Sequence, residues 1–153
     1  IRRHVRVDVR EANFLDISPI ISLLVGMHKE TEIELDRIHP AKLAEAVTRT
    51  INNGVVFVAI ENKRIIGSIG GFESSDWWSD NRYLGDLWFY VHPKERKSKA
   101  AVKLLKRFLN FAKSNKLKAK VGHIYSGDLE RKDKFYESLG LVKAGTVYVT
   151  EKS

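Results

Sequence analysis

The sequence predicts a mixed α/β fold, a central sheet flanked by helices, on three observations. Hydrophobic periods of two and of three to four residues alternate along the chain. Tyr83 to Val91 is nearly all apolar or aromatic after Asp86, which marks a central strand covered on both faces. The stretch from about Ser98 to Asn115 carries Ala101, Leu104, Leu105, Phe108, Leu109 and Ala112 at helical spacing, one full apolar face.

The other elements follow in order. Val5, Val7 and Val9 alternate with Arg6, Asp8 and Arg10, a half-buried strand. Asp16 or Ser18 can cap a helix with Pro19 in its first turn and an apolar stripe of Ile20, Ile21, Leu23, Leu24 and Met27. His39-Pro40 starts a second helix, ended by Asn52-Asn53-Gly54. Val55–Ile60 and Ile65–Phe72 form a hairpin through Glu61-Asn62-Lys63-Arg64. Gly67, Gly70 and Gly71 lie within its second strand, where glycine marks a bulge or a close backbone approach. Pro93 stops the central strand. After the long helix, Lys118–Tyr125 is a strand. Asp128 caps a short helix that ends at Leu139-Gly140, and Leu141–Lys143 and Val147–Thr150 are closing strands.

With 153 residues, 43% hydrophobic and 30% charged, residues 1–153 read as one globular domain. No linker or repeat divides it. The longest apolar run, Val55–Ile60, is far short of the roughly 20 residues a membrane helix needs. The chain has no cysteine, which excludes disulfides, thiolate metal sites and a cysteine nucleophile, and fits a reducing cytoplasm. Its five histidines form no helical i, i+4 pair, so no metal site is expected.

Lysines and arginines outnumber acids 27 to 19. Between Lys94 and Lys120 there are eleven of them against one acid, Glu95. A solvated helix face would explain that excess; a polyanionic partner explains it too. The second reading gains from local context. The apolar strand ending at Val91 turns through His92-Pro93-Lys94-Glu95 into a helix start with Arg96, Lys97, Ser98, Lys99, Ala100 and Ala101. A helix start offers N–H groups without intrahelical partners and the positive end of the dipole. Ser98, Ala100 and Ala101 are small enough to admit a phosphate to the backbone, and Arg96, Lys97 and Lys99 add charge.

This strand–turn–helix, followed by a strand and then Phe135-Tyr136-Glu137-Ser138-Leu139-Gly140-Leu141, resembles the GCN5-related N-acetyltransferase (GNAT) superfamily. The order of elements is similar over nearly the whole chain. In that family the turn reads Arg/Gln-x-x-Gly-x-Gly/Ala and wraps the pyrophosphate of acetyl-CoA. Arg96 and Ala101 match, while Lys99 stands where the first glycine is usual. The Arg-x-Ser-x-Ala-Ala form is similar to a branch common in phages and prophages, which would place the protein in a host cytoplasm.

The resemblance implies an acetyl-CoA-dependent N-acetyltransferase that moves an acetyl group to a primary amine, on a small molecule or a protein, by direct attack. It implies that the central strand and the one after the long helix splay, and that Phe89 and Val91 offer backbone to the pantetheine arm. The Val91 N–H would stabilise the oxyanion. Tyr136 matches the tyrosine that protonates the departing thiolate; its other reading is a core aromatic. The family's glutamate position falls on Gly85. Asp86, one residue on, is expected to face the opposite side. Glu73 and a water chain are the other candidates for the base.

Two segments are expected on the acceptor side. Glu30, Glu32 and Glu34, with Asp36, would attract a cationic amine, or else simply cap helices. Trp77 and Trp78 suggest a stacking wall, or else cover a sheet edge or a homodimer contact. Two rivals remain. One is a basic nucleic-acid-binding protein, against which Lys99, Lys103 and Lys106 argue, since lysines there read phosphate and not sequence. The other is a GNAT fold that binds CoA without transfer.

Overall fold

The computed structural model describes residues 6–31, 35–96, 98–122 and 128–150. Glu32, Glu34, Lys97 and the end of the strand expected to reach Tyr125 lie outside the described residues. The strands are β1 (Asp8–Glu11), β2 (Val55–Glu61), β3 (Arg64–Ser75), β4 (Arg82–Val91) and β5 (Lys118–Lys120). The helices are α1 (Ile17–Lys29), α2 (Pro40–Asn53), α3 (Ala100–Ser114) and α4 (Leu129–Ser138). The five strands form one sheet in the order β1-β2-β3-β4-β5, antiparallel except for the parallel pair β4–β5. This is the mixed sheet with flanking helices that the periodicities predict.

The alternation along β2 builds both layers. Val55, Phe57 and Ala59 pack with Leu104, Leu105 and Phe108 of α3. Val56 and Val58 point the other way and pack with Ile20 and Leu24 of α1 and Val47 of α2. A single slip in register would exchange these two sets, so the apolar pattern fixes it. The β2–β3 turn has Asn62 at φ 50° and Lys63 at φ 63°, the positive pair that a two-residue hairpin turn requires. His39 caps α2, its Nδ1 accepting the Lys42 N–H at 3.2 Å, with Pro40 in the first position.

Two expectations are corrected. Asn13, not Asp16 or Ser18, provides the side-chain cap before α1: its side chain accepts the Leu15 N–H and begins a 3-10 turn at Phe14–Asp16. Asp16 supplies the acid of that capping box and makes no cap to α1 itself. The segments Leu141–Lys143 and Val147–Thr150 are not strands; residues 141–150 carry no regular structure, and Tyr148 is 90% exposed. Their β-branched residues have strand propensity but no strand partner among the described residues, and propensity without a partner edge does not make a strand.

Candidate active site

Among the described residues, β4 and β5 pair at three positions: Tyr83 with Lys118, Leu84 with Ala119 and Gly85 with Lys120. Among the described residues no strand pairs with β4 on that side beyond Gly85, while β4 itself continues to Val91. The His92 N–H donates to the Ile66 carbonyl on the β3 side at 2.7 Å. Backbone groups alternate in direction along an antiparallel strand, so those of Phe89 and Val91 face the open edge.

Asp86 stands where the strands part. The Gly122 N–H donates to its Oδ1 at 3.1 Å, bridging the start of the gap. Its side lies opposite to expectation, and the reason is a bulge. Asp86 pairs with Gly71 and Trp88 with Gly70, leaving Leu87 unmatched and 55% exposed. The extra residue exchanges the faces downstream. Leu84 therefore shares a layer with Phe89 and Val91, while Trp88 faces α1 and α2. Asp86 lies near Tyr136 on the α4 side. Burial pushes its carboxyl up to about 6, against the smaller opposing effect of the Gly122 N–H.

Both glycines are required at the bulge. A Cβ on Gly70 would stand 2.5 Å from the Trp88 ring, and one on Gly71 would stand 2.0 Å from the Gly85 carbonyl. The Trp88 indole N–H donates to Ser68 Oγ at 3.0 Å, and that hydroxyl donates to the Phe57 carbonyl at 2.9 Å. These bonds hold Trp88, and with it the bulge, in one register.

Tyr136 comes from α4. Asp128 caps that helix by accepting the Arg131 N–H, and Gly140 at φ 87° closes it, with the Leu141 N–H donating to the Tyr136 carbonyl at 3.2 Å. The Phe89 ring lies 6.3 Å from Phe135 and 6.5 Å from Tyr136, so an aromatic cluster borders the gap. Burial, and then the nearby Asp86 charge, raise the Tyr136 phenol above its usual range. It keeps its proton at neutral pH.

The turn into α3 is built by its own side chains. His92 Nδ1 accepts the Lys94 N–H, and Ser98 Oγ accepts the Ala100 N–H while donating to the Glu95 carbonyl. Ala100 is fully buried against the sheet, so its small size serves packing as well as access. Lys99 is exposed. Arg96 is turned back over β4: its Nη2 donates to Glu30 Oε2 at 2.6 Å and its Nε to the Val91 carbonyl at 3.1 Å.

Other candidates lie apart. Glu73 is half-exposed and paired with Arg82 at 2.9 Å. Trp77 and Trp78 meet edge to face at the tip of the β3–β4 hairpin, Trp77 being 93% exposed. Asp76 beside them holds Lys120 of β5 at 2.6 Å. Glu30 is at the other end of β4, roughly 30 Å along the strand, so the tryptophans and Glu30 do not form one wall. A cavity of about 360 Å³ between Glu11, Phe57 and Arg107 contains none of the expected site residues. Sequence reasoning missed Gly122, Tyr90 and Lys132 as neighbours of the site; only the Gly70-Gly71 pair carried a readable signal.

Residues 52–142, which include the splayed strands and Tyr136, match the sequence profile of the acetyltransferase (GNAT) domain family. The chain belongs to this family. It is an N-acetyltransferase. No curated protein sequence matches the GNAT chain. Solved structures match its fold. An aminoglycoside N-acetyltransferase in complex with CoA aligns with a TM-score of 0.73 at 14% identity, over 99% of this chain and 98% of that one. A predicted acetyltransferase from Clostridium acetobutylicum with acetyl-CoA gives 0.72 at 21%, over 95% and 96%. A ribosomal-protein-alanine N-acetyltransferase from Brucella melitensis gives 0.69 at 16%, over 97% and 100%. These likenesses show the GNAT fold. Among the described residues, no helix is long and apolar enough to cross a membrane.

The site fits the donor. The Phe89 backbone and the Val91 N–H on the β4 edge suit an extended amide arm, while Arg96 Nε holds the Val91 carbonyl. The start of α3, with small Ala101 and basic Lys99, suits phosphate.

Proposed function

We propose that this GNAT protein acetylates a primary amine by direct attack, with Asp86 as the base and Tyr136 as the acid. The observation that carries the reading is the position of Asp86. Its carboxyl lies at the parting of β4 and β5, near Tyr136, with a pKa raised to about 6. Such a carboxyl is ionised at pH 7 and can take the proton that the amine nitrogen sheds as the C–N bond forms, when that nitrogen becomes strongly acidic. Acetyl-CoA, when bound, supplies an acetyl thioester. Tyr136 holds a proton on Oη within the same gap, available to sulfur. The Val91 N–H faces the open edge and can donate to the carbonyl oxygen. Glu73 is less suited, because Arg82 already holds it.

The Arg96-x-Ser98-x-Ala100-Ala101 turn supports the phage-type branch and, with it, a host cytoplasm. The acceptor is a cationic small molecule or a lysine-bearing protein. Exposed Trp77 and Trp78 either stack on it or join two copies of the chain. Thermal melting with acetyl-CoA, CoA and duplex DNA tests the reading. Acetyl-CoA at a hundred times its Kd should stabilise the protein by about 2.7 kcal/mol. Stabilisation by DNA alone would favour nucleic-acid binding instead. CoA binding with no thiol release across polyamines, aminoglycosides and lysine peptides would favour a binder without transfer.

A further inference from the structure

Arg96 precedes α3, yet its guanidinium lies on the α1 side of β4. It stacks 5.2 Å over the Tyr90 ring and donates to Glu30, the residue that closes α1, at 2.6 Å. Its Nε also holds the Val91 carbonyl, one of the backbone groups on the open edge. Lys132 of α4 interacts electrostatically with both Arg96 and Glu30, and the Tyr90 phenol lies beside Glu30. One carboxylate thus faces two cations where α1, β4 and α4 meet.

We propose that Glu30 is the carboxylate that receives the acceptor's ammonium group, and that Arg96 occupies it until the donor's phosphates draw the guanidinium away. This inference rests on the acyl-CoA reading above. An arm paired along β4 needs the Val91 carbonyl, which Arg96 holds, so an arriving donor displaces that contact. The Arg96 and Glu30 side chains are 46% and 36% exposed, and pairs of that kind are weak enough to exchange partners. A phosphate offers the guanidinium a bidentate charged partner in return. With Arg96 gone, Glu30 regains an anionic oxygen beside the gap. Linkage makes the effect reciprocal: an ammonium that takes Glu30 frees Arg96 and tightens donor binding.

The test is CoA titration calorimetry on the parent, Glu30→Gln, Arg96→Ala and the double variant, with folding checked by melting. Glu30→Gln removes the competitor and should bind CoA about two- to fivefold more tightly. In the Arg96→Ala background the same change should make no difference. Glu30→Gln binding CoA as weakly as the parent, or more weakly, would overturn the proposal. No binding by any of the four proteins would overturn the acyl-CoA reading itself. Spermidine serves as the cation probe. It should raise the melting temperature of the CoA-saturated parent more than that of the free parent, and should do neither in Glu30→Gln. Glu30→Asp, which keeps the charge but shortens the reach, should retain the spermidine response. Equal spermidine shifts with and without CoA would sink the coupling.

Discussion

Asp86 sits opposite Gly71 across the β3–β4 ladder, and the next pair is Trp88 with Gly70. The residue skipped between them turns Asp86 onto the Tyr136 side. Gly71→Ala would drive a Cβ against the Gly85 carbonyl, where no flexible side chain can yield. The expected cost is about 1–3 kcal/mol in urea unfolding. Acetyl transfer should fall further than the stability loss explains, because relieving the clash shifts Asp86. A Gly71→Ala protein with parental stability and turnover would show that the bulge is not needed.

Asp86→Asn separates activity from stability. The Asp86 carboxyl rises from 3.8 to about 6 on folding, so the native state favours its proton. Stability from this group is full below the unfolded value near 3.8 and is lost as pH rises through 6. The asparagine, which still accepts the Gly122 N–H, should therefore stabilise the protein at pH 8 by up to about 3 kcal/mol and give little gain at pH 4. Transfer should collapse in the same variant. In the parent, kcat/KM should rise with pH through about 6. A flat profile there, with full activity in Asp86→Asn, would remove Asp86 from the chemistry.

Tyr136→Phe keeps the ring against Phe89 and Phe135 and removes the phenolic proton. Acetyl-CoA affinity should hold while turnover falls about 10- to 100-fold. Single-turnover kinetics would place the loss in the chemical step. Parental turnover would leave Tyr136 as a packing residue.

Asp16 is 5% exposed and receives both Arg10 nitrogens, at 2.7 and 2.9 Å, together with the Asn13 N–H. The Arg10 hydrogen bonds hold its carboxyl below the usual range, against desolvation. The stability this gives is present above the unfolded value near 3.8 and is lost as pH falls through the lower native one. Arg10→Ala should cost about 1–2 kcal/mol at pH 7, Arg10 being partly exposed, and the difference from the parent should shrink in acid unfolding near pH 3. A difference independent of pH would mean that Arg10 contributes packing alone.

Local chemistry made much of the molecule legible. The His39-Pro40 start, the Asn62-Lys63 turn, the Asp128 cap and the Gly140 end each depend on one or two adjacent residues, and each is found where the sequence puts it. The apolar periods likewise placed both layers of the sheet. Tyr136 and the turn into α3 were readable as candidates because strand, turn and helix succeed one another within a short span. The segments expected as closing strands stay irregular because a strand also needs a neighbour, and Val147 and Val149 have none among the described residues.

By itself, then, the sequence determined the four helices, the hairpin, the two faces of β2 and the family's strand–turn–helix, since all of these follow from interactions within a few residues or from a period of two or 3.6. Only the tertiary structure decided which way Asp86 points and what Arg96 holds. A bulge is a property of two strands, and it depended on Gly70 and Gly71 meeting Trp88 and Gly85 across the ladder. The Arg96–Glu30 contact joins residues 66 positions apart. No local pattern encodes such a pairing, because its energy exists only once α1 and β4 are packed together.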